Sequence, residues 1–120
     1  MKFKGALLGL GTVLLAGTAA AQERVAVITP YLAQPGTQFY IDGFEAEADG
    51  RGWDVNVIDT AGDIAAVISR IEDAVTQNVD AIVINVDPAQ VEAGLAMAEE
   101  AGIPVVGMDA SMSPYLETNV

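Results

Sequence analysis

Four short runs of apolar, mostly β-branched residues recur along the chain, and segments with helical spacing separate them. Arg24 to Thr29 carries Val25, Ala26, Val27 and Ile28, and the same texture returns at Val55 to Ile58, Ala81 to Val86 and Pro104 to Met108. Near-continuous apolar character, in place of strict alternation, marks strands covered on both faces, as in a parallel sheet. Between the second and third runs, Ile64, Val67, Ile68, Ile71 and Val75 form one apolar stripe, while Arg70, Glu72, Asp73 and Gln77 face the other way. That spacing predicts an amphipathic helix over Asp63 to Asn78. A first helix is expected from Thr37 or Gln38 to Arg51, with Phe44 and Ala48 inward, at least one of Phe39 and Tyr40 in the core, and Gly52 ending it. A third starts at Asp87, whose carboxylate suits the free N–H groups of a first turn. It continues through Pro88 and stops at Gly102. Residues 110–120 show neither period and are expected to form an irregular tail.

The resulting order is βαβαβαβ. Parallel strands joined by helical crossovers take right-handed connections, which predicts an α/β fold with an open, doubly wound parallel sheet and helices on both faces. No Pro/Gly/Ser-rich linker divides residues 22–109, which read as one lobe.

Met1 to Ala21 breaks the pattern. Lys2 and Lys4 precede an uncharged apolar stretch from Gly5 to Gly17, and Ala19-Ala20-Ala21 forms a small-residue cleavage site before Gln22. This is the build of a secretory signal peptide, cleaved after Ala21. Its apolar run of about 13 residues is short of the roughly 20 that span a bilayer. Removing 21 of the 120 residues leaves 99, and the two lysines lost with them move the formal charge from −12 to −14. Only Arg24, Arg51 and Arg70 then stand against 17 carboxylates. Nucleic acids and anionic membrane faces bind through clustered Lys and Arg, so neither is an expected partner.

The chain contains no cysteine and no histidine. That removes disulfides, thiolate nucleophiles, thiolate metal sites and a lipid-modified cysteine behind the signal, as well as the Ser-His-Asp and Cys-His arrangements and the commonest zinc ligand. No catalytic residue, metal or cofactor is expected.

Ligands of open α/β sheets bind beyond the carboxyl ends of the strands. The loops there hold Gln34, Thr37, Gln38, Asn85, Asp87 and Asp109, with Tyr31, Phe39 and Tyr40 close by. Carboxylates and amides exchange hydrogen bonds with hydroxyls while aromatic faces cover C–H surfaces, a mixture suited to polyols. Asp87 also has a capping role and Asp59 a turn role, whereas Asn85 and Asp109 follow buried strands with neither role evident. Three other chemistries fail at the same loops. After the first strand stands Thr29-Pro30-Tyr31-Leu32-Ala33-Gln34-Pro35-Gly36 in place of G-x-G-x-x-G. There is no P-loop, and a phosphoacceptor site would need acids where Thr29-Pro30 and Asn85 lie.

The ordered set RVAVITPYL, Pro35-Gly36, Asp42-Gly43, Arg51-Gly-Trp-Asp-Val, Asp59-Thr-Ala-Gly-Asp63, Val79-Asp-Ala-Ile-Val-Ile-Asn85 and Ala101-Gly-Ile-Pro-Val-Val-Gly-Met-Asp109 resembles the periplasmic substrate-binding proteins of ribose-type sugar ABC transporters. The resemblance covers Arg24 to Asp109. It implies a two-lobed periplasmic protein that traps a sugar or polyol between its lobes and docks on a membrane permease. Ligand contacts would fall at Gln34, Thr37, Asn85 and Asp109. The chain departs from the family at Gly36-Thr37, where many members carry an aromatic pair, and at Ala110, where many carry arginine; ribose is therefore no more expected than another pentose, hexose or polyol. Its length suits an N-terminal lobe alone, so a truncation point is expected near the tail. Two other readings stay open: an exported carboxylate-dependent enzyme acting on carbohydrate through Asp87 and Asp109, and a one-lobe interaction module.

Overall fold

The computed structural model describes residues 21–120, so the expected signal peptide, apart from Ala21, lies outside the described residues. The chain runs β1 (Arg24–Thr29), α1 (Pro35–Gly50), β2 (Asp54–Asp59), α2 (Ile64–Thr76), β3 (Ala81–Ile84), a 3-10 turn (Pro88–Gln90), α3 (Glu92–Glu100), β4 (Val105–Gly107) and β5 (Thr118–Asn119). The strands lie in the order β2-β1-β3-β4-β5 and every neighbouring pair is parallel.

Successive strand residues point to opposite faces, and here both faces are apolar. Ala26, Ile28, Ile82, Ile84 and Val105 meet Val67, Ile71 and Ala74 of α2 and Leu95 and Ala98 of α3. Val25, Val27 and Val83 point the other way, toward Ile41 and Phe44 of α1 and the Trp53 ring. One helix therefore covers one face and two cover the other, the doubly wound arrangement expected from the pattern. Val67 and Ile71 are fully buried. Their burial contributes about 3–6 kcal/mol before the entropy lost in ordering them is set against it.

The element ends follow local chemistry. Asp63 caps α2 by accepting a hydrogen bond from the Ala66 N–H at 3.0 Å. Gly52 and Gly102 take φ of +72° and +71° after α1 and α3, the left-handed stops predicted for them. Asn78 does the same after α2 at +53°, a conformation asparagine tolerates better than most residues.

Four expectations are corrected. Helix α1 starts two residues earlier than predicted, because Pro35 occupies its first turn, where its fixed φ is helical and its missing N–H costs nothing. The third helix is divided: Asp87 caps only the 3-10 turn through the Ala89 N–H, Val91 breaks the helix at φ −128°, and α3 proper begins at Glu92. Phe39 and Tyr40 are both exposed, at 77% and 47%, and stack edge-to-face on each other. The inward stripe of α1 runs through Thr37, Ile41, Phe44 and Ala48, and both aromatics lie off it. The tail is not wholly irregular either. Thr118 and Asn119 pair with Val106 and Gly107, an interaction too short to leave a periodic signal.

Candidate functional site

Loops at the C-terminal ends of β1, β3 and β4 enclose an open cleft of about 630 Å³. Gln34, Thr37, Asn85 and Asp109 all line it, joined by Tyr31, Asp87 and Ser111. Its wall on the α1 side is set by a turn in which the Gln34 N–H donates to the Tyr31 carbonyl at 2.9 Å. The first intrahelical bond then runs from the Gln38 N–H to the Gln34 carbonyl, leaving the amides of Gly36 and Thr37 ahead of the ladder. Such amides, at the positive end of the helix dipole, favour oxygen-rich ligands.

The floor is a buried hydrogen-bonded cluster. Asn85 is 5% exposed, and its Oδ1 accepts from the Thr29 hydroxyl at 3.1 Å and from the Thr37 hydroxyl at 3.2 Å. Its Nδ2 donates to the Met108 carbonyl at 2.7 Å. The Thr29 hydroxyl in turn accepts from the Tyr31 N–H. Burial without partners would be costly for each of these groups, and the mutual pairing removes that cost.

Asp109 differs from its neighbours. It is exposed, sits in the left-handed region at φ +50°, and its carboxylate makes no hydrogen bond or ion pair among the described residues. Among the described residues no lysine, arginine or histidine lines the cleft, and Asp87 and Asp109 make it acidic. A neutral ligand with several hydroxyls matches such a surface; an anion does not. One Asp87 oxygen is engaged with the Ala89 N–H.

The sequence pointed to the four candidate contacts, and the fold brings all four into one cleft. Asp59 stays outside it, shaping its own turn by accepting from the Ala61 N–H. Phe39 also lies away from the lining. Thr29 was missed as part of the site. As the last residue of a strand it looked like an ordinary β-former, and only the fold sets its hydroxyl against Asn85. A larger depression of about 700 Å³ runs along the free edge of β2 beside α2. Its arginines are committed, Arg24 to the Gln77 carbonyl and Arg70 to Asp73, and it opens on the flank of the sheet instead of its C-terminal end.

The fold has counterparts among known proteins. A family model described as a periplasmic binding protein domain matches residues 25–119. The ribose import binding protein RbsB of Bacillus subtilis is 37% identical over 70 residues, covering 58% of this chain and 23% of that protein. The protein of the same name from Haemophilus influenzae is 31% identical over 106 residues, covering 86% of this chain and 35% of that one. Among solved structures, an ABC transporter solute binding protein from Mycobacterium smegmatis with bound glycerol superposes with a TM-score of 0.76 at 29% identity, over 83% of this chain and 35% of that chain. The chain thus spans about a third or less of the length of these relatives. With a matching model over nearly all the described residues and the doubly wound sheet in place, the chain belongs to the periplasmic binding protein domain family.

Proposed function

We propose that this chain supplies the sugar- or polyol-binding lobe of an ABC transporter's substrate-binding component, exported by its signal peptide to the periplasm and delivering its ligand to a membrane permease. Gln34, Thr37 and Asp109 provide ligand hydrogen bonds, and Asn85 forms the floor beside them. The chain binds and releases; it does not catalyse. The observation that carries this reading is the cleft itself: an exposed Asp109 carboxylate opposite the amide-rich start of α1, with no partner for it and no cation in the lining among the described residues. It agrees with the relatives named for ribose import and with the glycerol bound in a structural neighbour.

Titration calorimetry of the chain with D-ribose, glycerol and ribose 5-phosphate tests it. The neutral compounds are expected to bind and the phosphate to bind at least tenfold more weakly. A hydrogen bond to a charged group is worth about 1.5–3 kcal/mol, so Asp109→Ala is expected to weaken sugar binding by about tenfold or more. Equal binding of the phosphate, no binding of a neutral sugar or polyol panel, or an unaltered Asp109→Ala affinity would refute the assignment.

A further inference from the structure

The peptide unit between Met108 and Asp109 is held at both ends. Its carbonyl accepts from Asn85 Nδ2 at 2.7 Å, and its N–H donates to the Val120 carbonyl at 2.7 Å. The axis about which φ of Asp109 turns begins at this peptide. Left-handed backbone is strained for any residue with a Cβ and persists where the surroundings impose it. Asn85 is the side chain placed to impose it. Both lone pairs of its Oδ1 are taken by the Thr29 and Thr37 hydroxyls, so the amide cannot turn over without losing two hydrogen bonds as well as the one to Met108. The cluster ties the end of β1, the first turn of α1 and the end of β3 to the residue that aims Asp109.

We propose that Asn85, locked by Thr29 and Thr37, is a positioning residue that sets the backbone of Asp109 and so directs its carboxylate into the cleft. The inference rests on the binding role proposed for Asp109, but its structural half is independent of any ligand. It assigns Thr29, whose hydroxyl lies under the cleft, an indirect part in specificity. It also gives Asn85 a role beyond lining the floor, because only one hydrogen of its amide remains uncommitted.

The test compares wild type, Asn85→Ala, Asn85→Asp, Thr29→Val, Asp109→Ala and the Asn85→Ala/Asp109→Ala double variant. In Asn85→Asp an oxygen replaces the donor facing the Met108 carbonyl. By NMR, the three-bond HN–Hα coupling of Asp109 is expected to leave its wild-type value in both Asn85 variants. Exchange of the Asp109 amide should rise at least tenfold, while the α2 amides keep their protection. D-ribose affinity should fall about tenfold in Asn85→Ala, with little further loss when Asn85→Ala is added to Asp109→Ala. An Asp109 coupling unchanged in Asn85→Ala and Asn85→Asp, or fully additive losses in the double variant, would overturn the proposal. If Asn85→Ala does not fold, Thr29→Val decides: smaller shifts of the same Asp109 signals support the proposal, and their absence overturns it. Failure of the wild type to bind any member of the neutral sugar and polyol panel would sink the binding role alone, since the Asp109 coupling and exchange still report on Asn85.

Discussion

Gly107 lies in β4 where the tail returns to the sheet, and replacing it with alanine is the sharpest test of how that tail is held. A Cβ built there falls 2.7 Å from Asn119 Oδ1, 2.9 Å from Leu116 Cδ1 and 3.2 Å from the Ala110 Cβ. The first two are closer than real Cβ atoms come, and both are side-chain ends, so the Leu116 tip must turn aside and the Asn119 amide must shift at the expense of its pairing with Ala110. The β4 backbone is fixed by its pairing with β3, through Ile82–Val105 to Ile84–Gly107. The tail is held by less: the Glu117 N–H to the Val105 carbonyl, the Val120 N–H to the Gly107 carbonyl, the Asp109 N–H to the Val120 carbonyl, and the reciprocal pair between Asn119 and Ala110. Overpacking a fitted site costs about 1–3 kcal/mol. Net hydrogen bonds are worth about 0.5–1.5 kcal/mol each, and less where water can replace them. Strain and detachment are therefore of similar size, and Gly107→Ala is expected to lower stability by about 2 kcal/mol while partly freeing residues 110–120. For a domain of about 100 residues this amounts to a drop of about 8–16 °C in melting temperature. Thermal unfolding followed by circular dichroism measures the first effect, and amide exchange at Glu117 and Val120 the second. A melting temperature within 2 °C of wild type, with protection at both amides retained, would refute the packing argument.

Gly43, in the middle of α1, meets nothing within 4 Å of a built Cβ, so Gly43→Ala is expected to raise stability by about 1 kcal/mol in urea denaturation. Asp63→Ala removes the cap of α2 and should cost about 1 kcal/mol, with faster exchange confined to the first turn of that helix.

Much of the fold was legible because it rests on local repetition. The β-branched runs and the stripe from Ile64 to Val75 repeat with the periods of strand and helix, and a right-handed crossover leaves few ways to assemble them. Gly52 and Gly102 announced their helix ends through residue chemistry alone. Asp87 and Pro88 also pointed to a helix start, but the backbone at Val91 confined them to a 3-10 turn. Phe39 and Tyr40 illustrate the converse limit. Their apolar rings suggested burial, yet the face of α1 that packs on the sheet is chosen by Ile41 and Ala48.

The amino-acid sequence by itself determined the doubly wound sheet, the family resemblance and the loops where a ligand could sit, because periodicity and strand order are written in neighbouring residues. Only the tertiary structure decided what those loops do to one another. Thr29, Thr37, Asn85 and Met108 are separated by up to 79 positions and meet in one buried cluster. The left-handed turn at Asp109 and the pairing of Thr118–Asn119 with β4 likewise arise from contacts between distant segments. A hydrogen bond across such a distance leaves no period in the chain, since its partners become neighbours only when the sheet has brought the strand ends together.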